Sequence, residues 1–196
     1  MAVPFVGLTG GLGAGKSTAL AELAVLGAMV LSSDAVVHEL YETAAVADAV
    51  RERFGSAVFA GDRVDRGAIA RRVFASEQDR LWLEQLLWPL VAERAQEFHQ
   101  RACRRRPPPR AAVVEVPLLF EAGAAPRFQA TIAVVADDAL RATRIAARDQ
   151  AALASREARQ LPQAEKARRA TYVVVNDGTV EELRAALAGV LDQFAG

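Results

Sequence analysis

The segment Val6-Gly7-Leu8-Thr9-Gly10-Gly11-Leu12-Gly13-Ala14-Gly15-Lys16-Ser17-Thr18 constrains this chain more than any other. A short apolar run, Val3 to Leu8, reads as a buried strand, and the glycines after it end the strand where a helix beginning near Lys16 takes over. Gly10, four residues, Gly15, Lys16 and Ser17 satisfy the P-loop spacing G-x-x-x-x-G-K-[ST], in the strand-to-helix context that the motif requires. The dinucleotide fingerprint is excluded, because the third glycine it demands after Gly11 and Gly13 is Lys16.

The residue types follow from phosphate chemistry. Glycines at 10, 11, 13 and 15 allow backbone angles closed to other residues, so successive N–H groups can converge on one anion while the helix N-terminus adds partial positive charge. Gly11, Leu12, Gly13, Ala14, Gly15, Lys16, Ser17 and Thr18 are the expected cradle for the triphosphate of ATP. Lys16 bridges the β- and γ-phosphates in this reading, and the Ser17 hydroxyl is the expected ligand of a magnesium ion. The bland alternative is a glycine-rich turn with Lys16 solvated.

A chain of 196 residues suits one α/β domain, with room for a small inserted subdomain. Lys plus Arg equals Asp plus Glu at 24 each, so no global field draws the protein to nucleic acid or to an anionic membrane. Cys103 is the only cysteine, which excludes an intrachain disulfide and a cysteine-built metal site. No stretch approaches the roughly 18 apolar residues of a membrane span, and the expected location is the cytoplasm.

After the loop, Ser17 to Leu26 carries the apolar stripe of a helix covering a sheet, and a second buried strand runs from Ala28 to Leu31 into Ser32-Ser33-Asp34. Ligands in doubly wound sheets bind outside the carboxyl ends of strands, so Asp34 is expected on the same rim as Lys16. It has two readings: the base that accepts a proton from an attacking hydroxyl, or an N-cap of a helix beginning near Ala35. From Ala35 to about Arg106 the pattern is helical and without strands, with Pro89 expected to stop or kink a helix near Trp88. Trp82 and Trp88, at helical spacing among leucines, read as core rather than as platforms for a substrate base. Arg104-Arg105-Arg106-Pro107-Pro108-Pro109-Arg110 reads as a solvated boundary.

Ala111 to Val116 is the third strand of the sheet, Thr131 to Val135 the fourth and Tyr172 to Val175 the fifth, the last ending in the turn Asn176-Asp177-Gly178. Glu115, inside an apolar strand, either faces a magnesium-bound water or makes a structural pair with a nearby cation. Asp137-Asp138 caps the next helix. Between Arg141 and Arg169 eight basic residues face three acidic ones. Arg141, Arg144 and Arg148 share one helix face, which would stabilise the transferring phosphoryl group if turned to it; a solvated basic helix is the alternative. The fold class is α/β: a P-loop fold with a five-stranded parallel sheet flanked by helices, a helical insert and a lid.

With these residues in view the chain resembles the dephospho-CoA kinases nearly end to end. The resemblance is carried by the P-loop, Asp34, Asp65-Arg66, Val73-Phe74 and Leu87-Trp88-Pro89-Leu90-Val91, then by Val116-Pro117-Leu118-Leu119-Phe120-Glu121, Arg144, Arg148-Asp149, Gln163 and Asn176-Asp177-Gly178. It implies a nucleotide-binding core of residues 1–34, 111–140 and 170–196, a helical CoA-binding part at 35–110 and a lid at 141–169. It also implies transfer of the γ-phosphate of ATP to the ribose 3′-hydroxyl of dephospho-CoA, with Asp34 as base, Lys16, Arg144 and Arg148 on phosphates, and Asn176 among the nucleotide-binding residues. A nucleoside or nucleoside-monophosphate kinase of the same fold is the alternative, and a monomer is the expected state. Three positions depart from the family pattern: Ser32 and Thr171 stand where an aspartate is usual, and Trp88 where a histidine is common.

Overall fold

The computed structural model describes residues 3–146 and 160–194. Five parallel strands form one sheet in the spatial order β2-β5-β1-β6-β7: β1 is Phe5–Gly10, β2 Met29–Ser32, β5 Ala112–Glu115, β6 Ala130–Val135 and β7 Tyr172–Val175. The central strand β1 is buried at every residue, and Val6 pairs with Val113 on one side and Ala130 on the other. Burial on both faces is why β1, β5 and β6 show no alternation, whereas the edge strand β7 leaves Val173 and Val175 exposed.

Helix α1 (Lys16–Val25) and helix α8 (Val180–Asp192) place Ala19, Leu23, Leu183, Leu187 and Leu191 against the core side chains Val6, Leu8, Val113, Ile132 and Val134. A capping box between Thr179 and Glu182 starts α8. Helix α6 (Asp138–Ala146) begins where Asp137 Oδ1 accepts from the N–H groups of Ala139 and Leu140, at 2.9 and 3.3 Å, as expected of a capping aspartate. Helix α7 (Gln163–Arg169) leads into the edge strand β7.

The chain divides into two compact units, one of residues 1–32 and 97–196 and the other of 33–96. The second holds helices α2 (Ser33–Leu40), α3 (Ala44–Phe54) and α4 (Arg66–Ala75), and residues 77–96 of α5 (Glu77–Arg104). Asp79, 5% exposed, gathers it: Arg53 of α3 donates at 2.9 Å and Arg72 of α4 at 2.8 Å. Burial pushes the Asp79 carboxyl up, but the two guanidinium groups outweigh it and hold it below the ordinary range. Asp65 is the N-cap of α4, accepting from Gly67 and Ala68.

Four expectations are corrected. A short antiparallel hairpin, β3 (Phe59–Ala60) with β4 (Arg63–Val64), interrupts the helices around Gly61-Asp62; two-residue strands leave no periodic signal. Helix α5 runs without a break through Pro89, which together with Gln85, whose carbonyl loses its partner, faces solvent where water can serve that oxygen. Trp88 is 44% exposed, because Leu83 and Leu87 occupy the inward stripe and Trp88 lies about 100° further round the helix. Trp82 is half-buried, edge-on to Phe54 at 5.2 Å. Helix α2 begins at Ser33, not near Ala35, so Asp34 lies inside the first turn instead of capping it.

Candidate active site

The P-loop leaves β1 at Gly10 and enters α1 at Lys16. Gly13 and Gly15 take φ of 74° and 93°, in the left-handed region that favours glycine. Space is closed as well: a Cβ on Gly15 would lie 2.1 Å from Asn176 Nδ2, and one on Gly13 2.9 Å from the Arg141 carbonyl oxygen.

Five successive carbonyls of the loop are held by side-chain donors. Lys16 Nζ donates to Gly10 O at 3.1 Å and Gly11 O at 3.0 Å. Arg141 Nε donates to Leu12 O at 2.8 Å, Arg144 to Gly13 O at 3.4 Å, and Asn176 Nδ2 to Ala14 O at 2.8 Å. In a trans peptide the N–H points away from its carbonyl, so a donor on a carbonyl also fixes the direction of the N–H that follows it. Ser17 and Thr18 follow on the exposed side of the first turn of α1.

Helix α6 and the end of β7 complete the cradle. Arg144 also donates to the Asn176 carbonyl at 3.1 Å, Arg141 pairs with Asp138 at 2.7 Å, and the Asp137 N–H donates to Asp177 at 2.6 Å. The structure thus brings Lys16, Arg144 and Asn176 together on the loop. Arg148, the third arginine of the expected face, lies outside the described residues.

At the end of β2, Ser32 pairs in register with Glu115 and its hydroxyl donates to Glu115 Oε2 at 3.0 Å. The chain enters α2 at the next residue, and Asp34 is exposed. Among the described residues its carboxylate accepts no N–H of its own helix, which removes the capping role.

One group was invisible in the sequence. Lys166 of α7, counted there only as part of a basic stretch, is fully buried. Its ammonium pairs with Glu121 Oε1 at 2.9 Å and donates to Pro117 O at 2.6 Å and Thr9 Oγ1 at 3.5 Å. Desolvation pushes its pKa down, and Glu121 opposes the shift. Glu121 Oε1 also accepts the Leu161 N–H at 2.7 Å. Gln163 grips both the N–H and the carbonyl of Ala136, at 3.2 and 2.8 Å. Glu121 and Lys166 are 45 positions apart, so nothing local announces the pair.

A parallel sheet with a P-loop at the end of its central strand, and basic side chains from the next strand-helix connection on that loop, defines a P-loop kinase. A family model described as dephospho-CoA kinase matches residues 4–182, and the chain belongs to that family. A dephospho-CoA kinase of Chromobacterium violaceum is 38% identical over 191 residues, covering 94% of this chain and 91% of the relative. One of Rhodopseudomonas palustris is 36% identical, covering 97% and 95%. The crystal structure of a Thermus thermophilus protein superposes with a TM-score of 0.83 at 35% identity, covering 99% of this chain and all of that one.

Proposed function

We propose that the chain carries out the reaction of its family, transfer of the ATP γ-phosphoryl group to the ribose 3′-hydroxyl of dephospho-CoA, giving CoA and ADP. The observation that carries this reading is the P-loop whose five successive carbonyls are held by side-chain donors, joined to family membership over residues 4–182. Lys16 binds the β- and γ-phosphates and follows the charge as it moves to the leaving oxygen. Arg144, with Arg148, neutralises phosphate oxygens. Asn176 acts through Ala14, holding the nucleotide-binding loop.

Asp34 is the base in this reading. The sheet delivers the chain to the rim at Ser32 and the chain reaches Asp34 two residues later, with an exposed carboxylate able to take the proton of an attacking hydroxyl. The donors present fit a magnesium ion: Ser17 offers an exposed hydroxyl, and such an ion takes oxygen ligands mostly from phosphate and water. Bound there, it supplies charge neutralisation for the phosphate oxygens. Residues 35–110 are the proposed acceptor-binding part, residues 141–169 the lid, and the proposed working form is a cytoplasmic monomer. Among the described residues no helix is long and apolar enough to cross a membrane.

The test is turnover. Purified protein with Mg-ATP and dephospho-CoA is expected to yield ADP and CoA in equal amounts, with nucleosides and nucleoside monophosphates poor acceptors in parallel assays. Binding of ATP without formation of CoA refutes the reading.

A further inference from the structure

Lys166 is the largest fully buried side chain among the described residues, and the next largest are all apolar: Leu8, Leu23, Leu119 and Ile132. A charge in that place is not explained by stability. Removing an ammonium from water costs several kcal/mol, and replacing a buried ion pair by apolar side chains of similar volume is often neutral or stabilising. The arrangement has geometric content instead. An ammonium carries three N–H groups, and three oxygens meet it: Glu121 Oε1, Pro117 O and Thr9 Oγ1. Thr9 passes the link on, its hydroxyl donating to Pro117 O at 3.3 Å.

Those oxygens belong to the exits of two neighbouring strands. Thr9 is the residue before Gly10, where the phosphate loop opens and where Lys16 takes its first carbonyl. Pro117 and Glu121 bound the turn that leaves β5, two residues after the Glu115 that holds Ser32 at the end of β2. Backbone pairing joins β1 to β5 only as far as Val116 N–H on Leu8 O. Beyond that rung the β1 exit and the β5 exit have Lys166 between them.

We infer that Lys166 is a positioning residue for phosphoryl transfer, its ammonium setting the exit of β1, and with it the phosphate loop, in register with the turn that follows β5. The inference rests on the proposed kinase activity. In-line transfer tolerates little misplacement, and a shift of about 1 Å costs on the order of a hundredfold in rate. The nucleotide cradle itself is held by Lys16, Arg141, Arg144 and Asn176, so loss of Lys166 leaves ATP binding largely intact and lowers the rate of transfer.

The experiment separates position from stability. Lys166→Met alone strands Glu121, whose Oε2 already lacks a partner among the described residues, and is expected to lower Tm. Lys166→Met with Glu121→Gln removes both charges and is expected to restore Tm. With this folded double variant, kcat for CoA formation is expected to stay about tenfold or more below wild type, with KM for ATP within about threefold. A kcat within about twofold of wild type overturns the inference. Should the double variant not fold, Thr9→Val carries the test with the ion pair intact: kcat down about fivefold at unchanged Tm supports the inference, and unchanged kcat overturns it. Wild-type protein that forms no CoA refutes the kinase activity itself, which is a different result from active variants.

Discussion

The side-chain amide of Asn176 donates to the carbonyl oxygen of Ala14 at 2.8 Å, joining the end of β7 to the phosphate loop across 162 residues of chain. Both residues are buried, and Arg144 binds the Asn176 carbonyl while reaching Gly13. The loop is therefore fixed by an edge strand and by α6, not by its own glycines alone.

Asn176→Ala leaves the Ala14 carbonyl buried without its donor, at a cost of about 1–3 kcal/mol. A lower Tm is expected, together with ATP affinity weaker by about tenfold, equivalent to about 1.4 kcal/mol. Thermal unfolding and calorimetric titration with a non-hydrolysable ATP analogue check both.

Gly13→Ala sets a Cβ 2.9 Å from the Arg141 backbone oxygen at φ 74°. The left-handed conformation alone costs an alanine about 1–2 kcal/mol. Because α6 and the loop must then part, ATP binding measured by equilibrium dialysis should be lost while circular dichroism stays native.

Lys16→Ala removes the donor to Gly10 and Gly11 and the charge proposed to follow the γ-phosphoryl group. A fall in kcat of about 10²–10³ is expected, the size seen when one preorganised donor to a developing charge is deleted. Lys16 is half-buried at the loop mouth, so Tm should change little.

Asp34→Asn keeps the shape of an exposed side chain and removes the proposed base. Turnover is expected to fall by about 10²–10⁴, with ATP affinity unchanged. An Asn variant that turns over at the wild-type rate leaves Asp34 without a catalytic role.

Asp79 makes the unit of residues 33–96 acid-sensitive. Its folded pKa lies below the ordinary 3.8, so as pH falls through that folded value the unfolded chain already carries the proton and the ion pairs with Arg53 and Arg72 are lost. Their stabilisation is complete above 3.8 and disappears below it. Both tryptophans, Trp82 and Trp88, belong to this unit, so fluorescence-monitored denaturation from pH 7 to 2 reports on it. Asp79→Asn should be less stable at pH 7 and show a flatter pH dependence in the acid range.

The five parallel strands and the α1, α6 and α8 helices could be read from the chain because short apolar runs and capping leave local marks: the runs themselves, Asp137 and the acidic start of α8. The β3–β4 hairpin left none, since two residues per strand are too few to show a period. Trp88 misled because it neighbours Leu87 in sequence while pointing away from it on the helix.

By itself the sequence determined the phosphate-loop motif. Glycine at 13 and 15 acts through backbone angle and Lys16 through its reach back to Gly10 and Gly11, which are properties of neighbouring residues. Only the tertiary structure decided what holds that loop. Asn176, Arg144 and Arg141 arrive from 129 or more positions away, and Lys166 meets Thr9 across 157. A local code can place a charge on a helix, but whether that charge is solvated or buried between the ends of two strands depends on how the sheet stacks its neighbours, and pairing between distant segments leaves no mark on either one.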